Sequence, residues 1–300
     1  MIDQVLDPAN LNLAWEQVAS KKGKPGPDGL SIERWARNWE ENLQRLSSQV
    51  KTNTYIPGRP KRIQVMKKDG NFRELTLLNI SDKVLQRAVL NVIEPEFDKR
   101  FLPCNHGYRP KRSVATAIQQ VLNFRDAGKT WVLDADIRSC FDSIDHTILI
   151  GRVRKVIKDW HINNLMENWL RVYRKQRQIP LGIPAGAVIS PLWCNIYLHL
   201  LDARVTVKRF AMVRYADDFM IFSDSEADIL VARSLVQSAL DDLRLSFAPE
   251  KTREGNFHDG FKFLGVEFKD DSYSYTWQQK TIRVQGQQLR TLYKYRPDYY

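Results

Sequence analysis

Met212-Val213-Arg214-Tyr215-Ala216-Asp217-Asp218-Phe219-Met220-Ile221-Phe222 is the stretch on which the reading of this chain turns. Two short apolar, β-prone runs flank Ala-Asp-Asp, a pattern that predicts a tight hairpin with two adjacent carboxylates at its tip. Neighbouring carboxylates repel, so one is driven toward protonation unless a cation lies beside them. Hard oxygen ligands on a short turn suit Mg²⁺, which takes one or two protein carboxylates and fills its shell with water and phosphate. Aspartate is also a common turn residue, and for this stretch alone a solvated pair competes with a metal site.

A second stretch, Trp131-Val132-Leu133-Asp134-Ala135-Asp136-Ile137-Arg138-Ser139-Cys140-Phe141, reads as an apolar strand that ends in Asp136 and turns through Phe141 toward a helix near Asp145. A carboxylate leaving a buried strand is costly unless it has a partner, and a cation shared with Asp217 would be one. Ile179-Pro180-Leu181-Gly182-Ile183-Pro184-Ala185-Gly186-Ala187-Val188-Ile189-Ser190-Pro191 is a Gly/Pro loop opening a long apolar helix. Its glycines allow backbone to approach a ligand, but it lacks the GxxxxGK[ST] pattern of a P-loop.

Around these lie cations. Arg62 to Met66 and Phe72 to Leu77 flank Asp69-Gly70, a hairpin signal, with Lys61, Arg62, Lys67, Lys68 and Arg73 on or beside it. Such a ribbon could close over a triphosphate, or could be an edge strand protected by lysine. The loop Lys21 to Gly29 reads equally as a connector or as a clamp on phosphates. His106-Gly107-Tyr108-Arg109 suits stacking and phosphate contact, although Tyr108 could equally be core. The net charge of +11 and pI near 9.5 point to a polyanionic partner, nucleic acid before lipid.

Helical periodicity runs over 9–22, 31–49, 79–100, 113–126, 147–175, 190–201 and 226–243, and over the basic, Gln-rich 279–296. Strands are expected at 245–252 and, as one run, at 261–268, with an aromatic hairpin around 272–277. Cys104, Cys140 and Cys194 have no ligand spacing and suggest reduced thiols. With no apolar run long enough for a membrane span and no signal-peptide pattern at Met1-Ile2-Asp3-Gln4, a cytoplasmic protein is expected.

Taken in order, the chain resembles a reverse transcriptase of the bacterial group II intron-like kind. The resemblance is carried by Gly26-Pro27-Asp28-Gly29, the Gly70–Leu75 hairpin, Gly107-Tyr108-Arg109-Pro110 with Ser113, and Asp136 to Phe141 with Asp145-His146. It continues through Gly186 to Pro191 with Asn195-Ile196-Tyr197, Tyr215-Ala216-Asp217-Asp218, Pro249-Glu250-Lys251-Thr252 and Phe263-Leu264-Gly265. The resemblance implies an α+β right-hand polymerase, with a ferredoxin-like antiparallel palm sheet and helices on one face. Fingers are expected at 1–130 with a return at 150–180, palm over the rest of 131–278, and a rudimentary thumb from 279.

It further implies RNA-directed DNA synthesis with two Mg²⁺ ions, Mn²⁺ being an alternative, held by Asp136, the Ile137 carbonyl and Asp217, with Asp218 completing the motif. Arg73 and one of Lys67 or Lys68 would grip the dNTP triphosphate, Phe141 would press on the sugar against a 2′-hydroxyl, and Lys251 would protonate the leaving pyrophosphate. Ala185, beside Gly186 at the nucleotide, stands where much of the family has Gln, which puts substrate handling in question. An RNA template, a DNA or RNA primer and dNTPs are the implied partners, without a membrane. A structured RNA or a protein would complete the short thumb. Group II intron-like, CRISPR-associated and antiviral, phage-defence settings are all compatible. The alternatives are a non-catalytic RNA-binding splicing or assembly cofactor, and an untemplated or protein-primed nucleotidyl transferase.

Overall fold

In the computed structural model, which describes residues 1–66, 70, 72–174, 179–277 and 280–286, the chain divides into two units. Met1–Arg100 with Phe141–Ile196 form the first, and Phe101–Cys140 with Tyr197–Tyr300 the second. Residues 101–130 belong to the second unit.

The first unit begins with α1 (Ile2–Val5), α2 (Pro8–Ala19), α3 (Ile32–Ala36) and α4 (Trp39–Lys51), followed by β1 (Lys61–Met66), β2 (Phe72–Leu77) and α5 (Ile80–Asp98). Helix 31–49 is two helices broken at Arg37 and Asn38. Its start is as expected, Ser31 accepting from the Arg34 amide at 3.3 Å. α2 packs on α5, and Gly26 sits so close to Asn79 that a Cβ would lie 2.6 Å from its Cα. That contact, with the Asp28 amide donating to Asn79 Oδ1 at 3.2 Å, gives the 21–29 loop a connector's role at the start of α5.

The chain then crosses the second unit through α6 (Val114–Asp126) and β3 (Trp131–Ala135). Ser113 opens α6 with the expected cap, a reciprocal box with Thr116. Next come α7 (Cys140–Ser143), α8 (His146–Val156), α9 (Trp160–Tyr173) and α10 (Ser190–Val207). A buried polar network holds the first unit: Trp169 donates to the Tyr55 hydroxyl at 3.1 Å, and Tyr55 donates to Asp82. Burial pushes the Asp82 carboxyl up to about 6.

The rest is second unit: β4 (Ala211–Tyr215), β5 (Asp218–Ser223), α11 (Glu226–Asp242), β6 (Arg253–Asn256), β7 (Phe261–Phe263), β8 (Val266–Lys269), β9 (Ser272–Trp277) and β10 (Lys280–Gln285). One antiparallel sheet runs β4-β5-β3-β6, the other β10-β9-β8-β7. Val132, Val213, Met220 and Phe222 share a core with Ile118, Val121 and Leu122 of α6. Leu133, Phe219 and Ile221, of opposite parity, are equally buried, and α11 contacts β3 and β5. Both faces of the sheet are therefore closed.

Three expectations are corrected here. Residues 245–252 form a single bridge, Phe247 to Ile137, followed by a turn, and the strand is β6 instead. Pro249 cannot donate to a ladder, and its turn ends the pairing. The run 261–268 is two strands, because Leu264 and Gly265 both take positive φ, +51° and +79°, and make a two-residue hairpin turn. Residues 280–285, expected as helix, pair with β9 as β10, with Ile282 and Val284 packed on the aromatic core and Lys280, Thr281 and Arg283 facing out. Alternation decides this segment, not a helical stripe. Residues 287–300 lie outside the described ones.

Candidate active site

β4 and β5 pair from Ala211↔Phe222 to Tyr215↔Asp218, leaving Ala216 and Asp217 as a two-residue turn. The hairpin is as expected. Ala216 has φ +61°, while Asp217 does not share the positive φ, the pattern of a type II′ turn. A non-glycine residue there is strained by about 1–2 kcal/mol.

β3 lies next to β5, with Ala135 opposite Phe219, so Asp136 leaves the sheet beside the turn. Burial, then Asp218 and Asp136, push the Asp217 carboxyl up to about 6. Asp134, not singled out in the sequence, joins this group. It faces Met220 in β5, and burial followed by the Asp218 charge pushes its carboxyl up to about 6 as well. The alternation Asp134-Ala135-Asp136 was the signal for it, since residues two apart share a face.

The backbone around Asp136 is fixed from one side. Ala248 N–H donates to the Asp136 carbonyl at 2.9 Å, and Arg138 N–H to the Ser246 carbonyl at 2.9 Å. These bonds flank the Ile137–Phe247 bridge, so Ile137's own carbonyl is directed away from Phe247. The turn after Ala248 delivers Lys251, whose ammonium lies 2.5 Å from Asp136 Oδ2. That bond raises the lysine's pKa.

Arg214 is not marked by any local sequence pattern. It is fully buried with Asp202 of α10. Nε and Nη2 donate to the two carboxylate oxygens, each at 2.6 Å, and Nη1 donates to the Ala216 carbonyl at 2.8 Å. Arg214's own amide donates to the Cys104 carbonyl and its carbonyl accepts from His106 N–H, both at 2.7 Å. This loop brings Gly107 against the turn, where a Cβ would stand 2.3 Å from Ala216 N. Arg109, expected at phosphate, turns inward, donating to the carbonyls of Leu102 and Asn105 at 2.9 and 3.0 Å. Tyr108 is 37% exposed, with its ring 6.5 Å from that of Tyr215.

The first unit holds the remaining expected residues. α7 and the Gly/Pro loop are zipped together: Ile183 N–H donates to the Phe141 carbonyl at 2.8 Å, and Gly182 N–H to that of Ile144 at 2.9 Å. His146, neutral because burial lowers its pKa, bonds the Gly182 carbonyl at 2.7 Å. Thr76 N–H donates to the Ala185 carbonyl at 2.8 Å, and Gly186 has φ +96° facing the Thr76 carbonyl. Phe141 and Ala185 thereby line one pocket of about 130 Å³ with Arg62, Glu74 and Thr76. Arg73 is exposed on β2, opposite Val65. Arg62 is occupied, donating to the Tyr173 carbonyl at 3.0 Å. Lys67 and Lys68 lie outside the described residues.

The donor set suits a hard cation. Among the described residues no three His, Cys, Asp or Glu side chains converge to hold an ion by themselves, and Mg²⁺ needs only one or two carboxylates. The mutual repulsion of Asp134, Asp136, Asp217 and Asp218 is what a divalent ion would relieve. Cys104, Cys140 and Cys194 are buried and not joined in a disulfide. Among the described residues no helix is long and apolar enough to cross a membrane.

The chain is similar to known proteins in sequence and in fold. The family described as Reverse transcriptase (RNA-dependent DNA polymerase) matches residues 65–268. Protein YkfC of Escherichia coli K12 is 30% identical, over 82% of this chain and 76% of that protein. Group II intron-encoded protein LtrA of Lactococcus lactis subsp. cremoris is 34% identical over 64% of this chain, which spans only 32% of LtrA. In fold, the chain is similar to telomerase from Candida albicans in a complex with a fragment of telomeric RNA, with a TM-score of 0.54 at 13% identity. That match covers 82% of this chain and 50% of the telomerase. The chain therefore belongs to the reverse transcriptase family of RNA-dependent DNA polymerases, among its group II intron-like members.

Proposed function

We propose that this chain copies RNA into DNA by adding deoxynucleotides from dNTPs to a primer 3′-hydroxyl, with Asp136 and Asp217 as its divalent-metal ligands. The observation that carries the reading is the pair of carboxylates at the ends of adjacent strands, one pushed up to about 6 by burial and like charge. Strongly perturbed carboxylates grouped on a polymerase fold are what metal-assisted phosphoryl transfer requires. Two bound Mg²⁺ ions would supply charge neutralisation for the attacking hydroxyl and the leaving pyrophosphate.

The chain's own residues orient and exclude. Asp217 and Asp136 anchor the cations, the Ile137 carbonyl offers a further ligand, and Asp218 and Asp134 add negative potential. Lys251 is a proton donor to the leaving group, and its bond to Asp136 keeps it protonated and close to the reacting end. Arg73 takes triphosphate charge, and Phe141 packs on the sugar. The four carboxylates argue against a pure RNA-binding cofactor, since half-buried like charges grouped together destabilise a scaffold that has no use for them.

A primer annealed to a defined RNA, extended with one dNTP withheld at a time, tests the proposal. Synthesis is expected to halt before each template base that requires the missing nucleotide. Extension indifferent to the template would favour an untemplated transferase, and no extension a binding role.

Sugar choice gives a second check. Phe141→Ala removes the bulk held by the α7 zipper, so ribonucleotide use relative to deoxynucleotide is expected to rise about tenfold or more, roughly 1.4 kcal/mol of discrimination. Competing rNTP and dNTP incorporation at one template base measures it, and an unchanged ratio would move the gate to another residue.

A further inference from the structure

We propose that Arg214 and Asp202 are positioning residues for the Asp217 carboxylate. The guanidinium is locked to Asp202 and holds the Ala216 carbonyl, thereby fixing the turn that carries the candidate metal ligand. The inference rests on the polymerase reading only for what Asp217 does; the locking itself stands on geometry.

A fully buried ion pair is seldom the most stabilising way to fill a core, because desolvation offsets the attraction, and apolar residues of equal volume serve as well. Here the pair does something apolar residues cannot. Arg214 presents a planar fork whose two donors on one side meet both oxygens of Asp202, at 2.6 Å each, so the group cannot rotate. Nη1, on the other side of the fork, donates to the Ala216 carbonyl at 2.8 Å. Ala216 needs that hold, since it carries φ +61°, a conformation favoured by glycine at the first position of a type II′ turn. The Arg214 backbone is itself clamped on both sides, by the Cys104 carbonyl and the His106 amide. Asp202 sits on α10, so the helix is the reference frame and the turn is what is held.

Three substitutions decide between positioning and mere core stability. Asp202→Asn keeps shape but weakens the lock, Arg214→Lys keeps charge but loses the fork, and Ala216→Gly, added to each, lets the turn hold its φ unaided. The readouts are kcat and KM for dNTP on an RNA-annealed primer, Mn²⁺ affinity of the substrate-free protein by electron paramagnetic resonance, and amide exchange across 214–218. For Asp202→Asn and Arg214→Lys the expected result is kcat lower by about 30-fold or more, KM for dNTP within about twofold, Mn²⁺ affinity about tenfold weaker and faster exchange in the turn. Ala216→Gly is expected to restore at least about fivefold of the lost kcat.

A lowered melting temperature with kcat, Mn²⁺ affinity and exchange unchanged, or no rescue by Ala216→Gly, would overturn the proposal. If Asp202→Asn does not fold, Arg214→Lys alone decides. A parent that binds Mn²⁺ but adds no nucleotide would remove the polymerase reading; the Mn²⁺ and exchange measurements would then still judge the positioning role.

Discussion

Asp217→Asn is expected to lower nucleotide incorporation on the order of 10³-fold or more, about 4 kcal/mol of transition-state stabilisation, while making the metal-free protein more stable. The two effects share one cause. Burial and the charges of Asp218 and Asp136 push the folded-state carboxyl from the ordinary 3.8 up to about 6. Between pH 4 and 6 the folded protein then binds more protons than the unfolded chain. Its stability accordingly falls as pH rises through that window and stays lowered above it. The penalty at pH 8 is up to about 3 kcal/mol, from roughly two pKa units, and Asn removes it. Denaturant melts in chelator are expected to show the variant more stable at pH 8, with the difference vanishing near pH 4. Equal stability at both pH values would mean that Asp217 is not held under electrostatic strain.

Gly107→Ala is expected to be the most damaging single methyl in the second unit. Its Cβ would lie 2.3 Å from the Ala216 nitrogen and 2.9 Å from the Tyr215 carbonyl carbon, both rigid backbone atoms. Neither neighbour can swing away as a side chain could. The bridge between Asn105 and Arg214 ties the Gly107 loop to β4, so the clash is relieved by displacing the turn that carries Asp217. A shift near 1 Å in such a group costs about 10²-fold in rate, and overpacking costs about 1–3 kcal/mol in stability. Single-turnover incorporation together with a thermal melt measures both. Activity within threefold of the parent would show that the turn tolerates the added atom.

Legibility in the sequence followed the range of the forces involved. The Asp217 hairpin, the β3 strand ending at Asp136, the Ser113 cap and the long α5 were readable because each is set by neighbouring residues, through alternation, turn chemistry or a cap. Leu264-Gly265 looks locally like strand interior because leucine rarely takes positive φ, and only pairing of Phe263 with Val266 requires it. Asp134 escaped notice because its meaning comes from Asp218 across a strand pair. Arg214 looked like one more cation in a basic protein. Its partner Asp202 is on a preceding helix, and no local pattern links them. Arg109 shows the converse, a cation that suggested phosphate and serves carbonyls of its own loop.

The most direct test adds one nucleotide to a DNA primer annealed to RNA, with each of the four template bases in turn, using the parent, Asp136→Asn and Asp217→Asn at matched folded fraction. The parent is expected to add the complementary deoxynucleotide in every case, and each Asn variant to be slower by roughly 10³-fold or more. Addition that ignores the template base, or an Asn variant within about tenfold of the parent, would contradict this expectation.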